Sequence, residues 1–87
     1  MTMLEQILTN AHKTKSDIDQ IYFGKNHACR CGCCGNYYRP EDKRGFTRQL
    51  NKINNDPVSV SEIEYDGNNV NIPLVNGDDR CITIYWK

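Results

Sequence analysis

Between His27 and Tyr38 the chain reads HACRCGCCGNYY, placing His27, Cys29, Cys31, Cys33 and Cys34 within eight residues. Thiolate and imidazole groups are the ligands zinc prefers, at about 2.0–2.3 Å in a tetrahedron. His27, Cys29, Cys31 and Cys33 recur at every second position. On an extended strand they would share one face, separated by about 6.6 Å per pair of residues. Convergence on one ion therefore needs a curled backbone, which Gly32 and Gly35 permit. The set that fits takes Cys29, Cys31 and Cys34 (or Cys33) with His27 or the distant Cys81. Against zinc stands the missing second knuckle, since structural sites pair two short Cys-x₂₋₄-Cys segments across a loop. Two further readings stay open. The thiols are reduced, some of them packing as small hydrophobes, or one is a nucleophile activated by Arg30 and His27. Zinc is the one cofactor the sequence points to; the alternative is none.

The residues beside the thiols carry a second chemistry. Tyr37, Tyr38 and Arg39 follow directly, and Arg44 and Arg48 stand one helical turn apart. With Arg30 they make a candidate ligand-binding set, because arginine forks grip phosphate oxygens and tyrosine rings stack on bases. A solvated helix face with half-buried strand tyrosines is the plainer account of the same residues. The net charge is zero overall, with 11 basic and 11 acidic residues. The charges are unevenly spread, however. From Tyr22 to Arg48 six basic residues face two acidic ones, and from Asn55 to Arg80 six acidic residues face one basic one. That asymmetry suits an anionic partner for the first half, or attraction between the halves. Neutrality argues against strong nonspecific nucleic-acid binding, which depends on phosphate neutralisation. The sequence has no glycine-rich phosphate loop, His-Glu-x-x-His helix or paired carboxylates.

The elements that must position these groups follow from periodicity. Met3, Leu4, Ile7, Leu8 and Ala11 recur at helical spacing, predicting a helix over residues 2–12. Ser16 and Asp19 suggest a capping box, and Ile18, Ile21 and Tyr22 leave open one long helix to about Gln20. QIYFG and GNYYRP read as two strands of a hairpin around the cysteine-rich stretch. Phe46, Leu50 and Ile53 mark a second helix from Gly45 that stops before Pro57. The last third reads as a three-stranded meander: VSVSEIEY, an Asp66-Gly67 hairpin turn, the run through Val70, Ile72 and Leu74, then RCITIYW. Pro73 marks a strand end or bulge. The expected architecture is one small α+β domain over residues 1–87, two helices packed on a mainly antiparallel sheet in the order α-β-β-α-β-β-β.

With 87 residues the chain buries about two-thirds of its unfolded surface, so a metal or a homo-oligomeric interface would add stability. The N-terminal stretch has no signal-peptide pattern and no run approaches the roughly 18–20 apolar residues of a membrane span. The expectation is a cytoplasmic protein whose five cysteines are reduced or metal-bound.

One resemblance covers most of the chain from Ile21 onward. IYFGKNHACRCGCCGNYYRPEDKRGFTRQLNKI, followed by VNIPL and CITIYW, resembles small uncharacterised accessory proteins of tailed bacteriophages. It implies a non-enzymatic protein of the host cytosol that inhibits a host process, including antiviral defence. Such a protein would act by binding a host protein or by sequestering a nucleotide signal. The alternative from a different class is a small zinc-stabilised module that contacts nucleic acid or protein. The resemblance assigns a role to no individual residue.

Overall fold

The computed structural model describes residues 2–26, 34–75 and 79–87. Helix α1 spans Met3–Ala11 and α2 spans Lys43–Asn55. Five strands, β1 (Ile18–Lys25), β2 (Gly35–Tyr38), β3 (Glu64–Tyr65), β4 (Asn69–Pro73) and β5 (Arg80–Trp86), form one antiparallel sheet in the order β2-β1-β5-β4-β3. The order of elements is the expected α-β-β-α-β-β-β. None of the described helices is long and apolar enough to cross a membrane.

α1 starts at a capping box in which the Thr2 hydroxyl accepts from Glu5 N–H and the Glu5 carboxylate accepts from Thr2 N–H. It ends where His12 turns left-handed (φ 59°) and Lys13 N–H donates to the Leu8 carbonyl, a Schellman closure. That closure rules out the single long helix to Gln20. The chain instead makes a short 3₁₀ turn at Lys15–Asp17 and enters β1 at Ile18. The capping box expected at Ser16 and Asp19 stands at Thr14 and Asp17. α2 starts two residues before Gly45, at Lys43, and is capped by Asp42, whose carboxylate accepts from Gly45 N–H. α1 and α2 are tied together by Leu4 N–H, which donates to Asn54 Oδ1 at 2.9 Å and so satisfies one orphan donor of the helix end.

Glu5 and Asp17 both titrate below their ordinary values. The largest cause is the backbone N–H of Thr2 in one case and of Thr14 in the other, with the same residues' hydroxyls second. A carboxylate with a depressed folded pKa stabilises above its unfolded value, here 4.5 and 3.8, and that stability is lost as pH falls through the folded value. Glu5→Gln and Asp17→Asn should therefore melt below wild type at neutral pH and converge with it in acid. Melting temperatures measured down through the carboxylate range test this, and a constant gap would reject it.

Cross-strand register explains the core. Ile21 pairs with Ile84 and Ile84 with Val70; Phe23 pairs with Ile82 and Ile82 with Ile72. Partners in register share a face, so these residues form one apolar surface. Leu4, Ile7 and Leu8 of α1 and Phe46, Leu50 and Ile53 of α2 pack on it. Both helices thus lie on one side of the sheet, as predicted.

The segment read as a strand in VSVSEIEY departs from expectation. Val58 makes one bridge to Leu74, residues Val60–Glu62 turn as a 3₁₀ helix, and only Glu64–Tyr65 pair as β3. The Ser59 hydroxyl donates to the Glu62 carboxylate and Glu62 N–H donates to the Ser59 carbonyl, a local turn that outcompetes the ladder. The Asp66-Gly67 turn joins β3 to β4 as expected. It is closed by Asp66 N–H to the Asn69 carbonyl and Asn68 N–H to Asp66 Oδ1. No described glycine has positive φ, so it is not the type I′ turn that Asp-Gly favours. Pro73 sits at the end of β4, as its missing N–H requires.

One buried polar group is poorly accommodated. Gln49 on α2 is 2% exposed, and among the described residues its Oε1 has no hydrogen-bond partner. Gln49→Met keeps the volume and removes the orphan acceptor, so it should raise stability by about 1 kcal/mol. Chemical denaturation at neutral pH reads this directly; a clear loss of stability would mean the amide is satisfied in solution.

Candidate functional site

The sheet face turned away from the helices carries alternate residues of each strand: Tyr37 from β2, Gln20, Tyr22 and Gly24 from β1, Cys81, Thr83 and Tyr85 from β5, Asn69 and Asn71 from β4. Three tyrosines form a ladder across it. Tyr22 and Tyr37 pair in register with ring centroids 5.1 Å apart, and Tyr37 lies 6.1 Å from Tyr85. Both separations fall in the range for aromatic pairs. Tyr22 is fully buried, Tyr85 half-buried and Tyr37 39% exposed, so the ladder runs from the core to solvent.

Beside the tyrosines runs a polar chain. Thr83 Oγ1 donates to Asn71 Oδ1 at 3.0 Å, and Asn71 Nδ2 donates to Asn26 Oδ1 at 3.3 Å. Cys81 Sγ lies 3.7 Å from Thr83 Oγ1. Cys81, Thr83 and Asn71 are buried. Asn26 is also held by its backbone N–H, which donates to the Asp79 carbonyl at 2.7 Å.

This network braces both feet of the cysteine-rich stretch. On one foot the Tyr22 hydroxyl donates to the Lys25 carbonyl at 3.0 Å. On the other, the half-buried Cys34 accepts at its carbonyl from Lys25 N–H, also at 3.0 Å. Gly24 pairs with Gly35 on one side and with Cys81 on the other, so Cys81 comes to the root of a segment some fifty residues earlier in the chain. His27, Cys29, Arg30, Cys31 and Cys33 lie outside the described residues. Among the described residues no three His, Cys, Asp or Glu side chains converge as a metal site.

The remaining candidates do not form one patch. Tyr37 and Tyr38 alternate along β2. Tyr37 joins the ladder, while Tyr38 is half-buried against Gly45 on the helix side, where an added Cβ would meet its ring at 2.6 Å. Arg39 is exposed and pairs with Asp19 at 3.5 Å. Arg44 and Arg48 are exposed on α2, one turn apart.

Tyr22 and Tyr85 were not among the candidates, although both belong to the ladder. The signal for Tyr22 was the hairpin register, and Tyr85 required the pairing of β1 with the C-terminal strand. The chain matches no protein-family model, no curated protein and no solved structure.

Proposed function

We propose that this protein works by binding rather than by catalysis, and that its ligand is a nucleobase-bearing molecule stacked on the tyrosine face. The observation that carries this reading is the Tyr22–Tyr37–Tyr85 ladder. Its outermost ring is solvent-exposed, and Arg39 with its exposed guanidinium follows directly. An aromatic ring fixed by two others offers a stacking surface worth about 1–3 kcal/mol per base, with little entropy left to lose. Arg39, next along the chain, would supply a phosphate contact by exchanging its Asp19 carboxylate, 3.5 Å away, for the phosphate. Together with the resemblance to phage accessory proteins, this fits a protein that sequesters a nucleotide signal of host antiviral defence in the host cytosol.

Thermal shift and calorimetry with cyclic nucleotides and ADP-ribose derivatives test the reading. At least one should stabilise the fold by mass action, and Tyr37→Ala should weaken that ligand about tenfold or more, the cost of losing one stacked base. If none of them binds, or if Tyr37→Ala binds as wild type does, the nucleotide reading is overturned. A pull-down from host lysate would then identify a host protein as the partner.

One observation favours a second reading, a zinc-stabilised module. Cys81 and Cys34 both stand at the root of the cysteine-rich stretch, as the four-ligand set containing Cys81 requires. Metal analysis of protein purified without a histidine tag decides it. One zinc per chain, with unfolding on chelation, supports this reading, and a folded metal-free protein removes it.

A further inference from the structure

We infer that the end of β1 and β5, on the helix side of the sheet, is a binding site for a pyrophosphate-class anion held by Lys25, Lys52 and Arg80. Lys25 and Arg80 are direct cross-strand partners, a like-charge pairing that is ordinarily destabilising. Two residues along β1, the half-buried Phe23 ring takes a cation on each of two approaches. Lys52 Nζ lies 5.0 Å from its centroid and Arg80 Cζ lies 5.8 Å from it. Lys25 is on the same face by strand alternation. Two positive side chains thus meet one aromatic ring at the sheet's end, and Lys25 stands on the same face as the cross-strand partner of Arg80.

Among the described residues the acidic groups nearby are Asp56, which Lys52 meets at 3.1 Å, and the exposed Asp79 that precedes Arg80. Among the described residues neither Lys25 nor Arg80 has a carboxylate in ion-pair range. Arg48 and Arg44 continue the positive row along α2 from Lys52 at four-residue steps, each about 6 Å farther. A row of cations at that spacing matches a multiply charged phosphate chain better than a single monovalent anion. The arginine contributes the bidentate contact and the lysines contribute point charges.

This site faces away from the Tyr37 ladder and does not depend on it. The test is a titration with inorganic pyrophosphate, followed by thermal melting against sodium chloride at matched ionic strength. Wild type should show a saturable rise in melting temperature that chloride does not reproduce. Arg80→Gln and Lys25→Gln should each raise the pyrophosphate dissociation constant about tenfold, the equivalent of one charged hydrogen bond. Without pyrophosphate, Lys25→Gln should melt at or above wild type because the like-charge pair is gone. Lys13→Gln, beside Trp86, removes a charge elsewhere and should bind pyrophosphate as wild type does, as should Tyr37→Ala. The inference fails if chloride gives the same rise, if Arg80→Gln binds unchanged, or if Lys13→Gln weakens binding as much as Arg80→Gln.

Discussion

Gly24→Ala and Gly35→Ala should each destabilise the protein by about 2–3 kcal/mol and release the β1–β2 corner that anchors the cysteine-rich stretch. The two glycines face each other across the strands. A Cβ on Gly24 would meet the Cys34 carbonyl at 2.5 Å and the Tyr22 hydroxyl at 2.7 Å, as well as the Gly35 Cα. A Cβ on Gly35 would meet the Phe23 carbonyl at 2.5 Å, the Gly24 Cα at 2.6 Å and the Tyr22 ring at 2.8 Å. Most of these neighbours are backbone, which cannot swing aside as a side-chain tip can. The Tyr22 ring occupies the space that the missing side chains leave, so displacing it also breaks its hydroxyl bond to Lys25 and its contact with Tyr37. For a domain of this size the melting temperature should fall by roughly 10–20 °C. Gly67→Ala is the matched control: nothing lies within 4 Å of its Cβ position, and its effect should stay within about 0.5 kcal/mol. Melting followed by circular dichroism separates the cases. Equal, small effects at all three positions would refute the close approach.

The largest single loss is expected from Ile84→Ala, at about 3–4 kcal/mol. Ile84 is fully buried in β5, the middle strand of five, and pairs with Ile21 on one side and Val70 on the other. Truncation there removes apolar contact from three strands at once, and the sheet leaves little freedom to collapse into the gap. A chain this short holds on the order of 5–10 kcal/mol of total stability, so the variant should be partly unfolded at 37 °C. Val60→Ala and Val75→Ala, both 58% exposed, should shift stability by less than about 0.5 kcal/mol. Denaturant midpoints at constant slope provide the measurement. An Ile84→Ala cost below about 1 kcal/mol would mean that β5 is not central.

Both variants bear on binding. Gly24→Ala disturbs the Tyr22 support of Tyr37 and also the bonds that hold the Lys25 backbone, whereas Ile84→Ala weakens both faces of the sheet together. Loss of nucleotide binding in Tyr37→Ala with pyrophosphate binding retained would separate the two surfaces.

Much of the architecture was legible along the chain, because the relevant physics is local. The spacing of Leu4, Ile7 and Leu8 and of Phe46, Leu50 and Ile53 declared two amphipathic helices. The alternation of Ile82, Ile84 and Trp86 declared a strand, and Pro73 declared where its neighbour must end. Where local signals competed, the reading divided. Apolar residues at 18, 21 and 22 fit a helix or a strand, and the left-handed His12 closure decided for the strand. Ser59 and Glu62 folded back on each other and took most of a predicted strand with them.

The site was less legible, for a geometric reason. Tyr37 and Tyr38 are adjacent in sequence, yet a pleated strand sends neighbours to opposite faces, so one joins the aromatic ladder and the other packs under α2. Residue types and spacing by themselves determined which side chains could stack, ligate or carry charge, and roughly which elements hold them. Only the tertiary structure decided that β5 inserts beside β1. That one pairing brings Tyr85 toward Tyr37, Cys81 to Gly24 and Arg80 to Lys25. These contacts join residues separated by 48 to 57 positions. No periodicity within either strand encodes their register, because it is set by the long-range fit of apolar faces against a shared core.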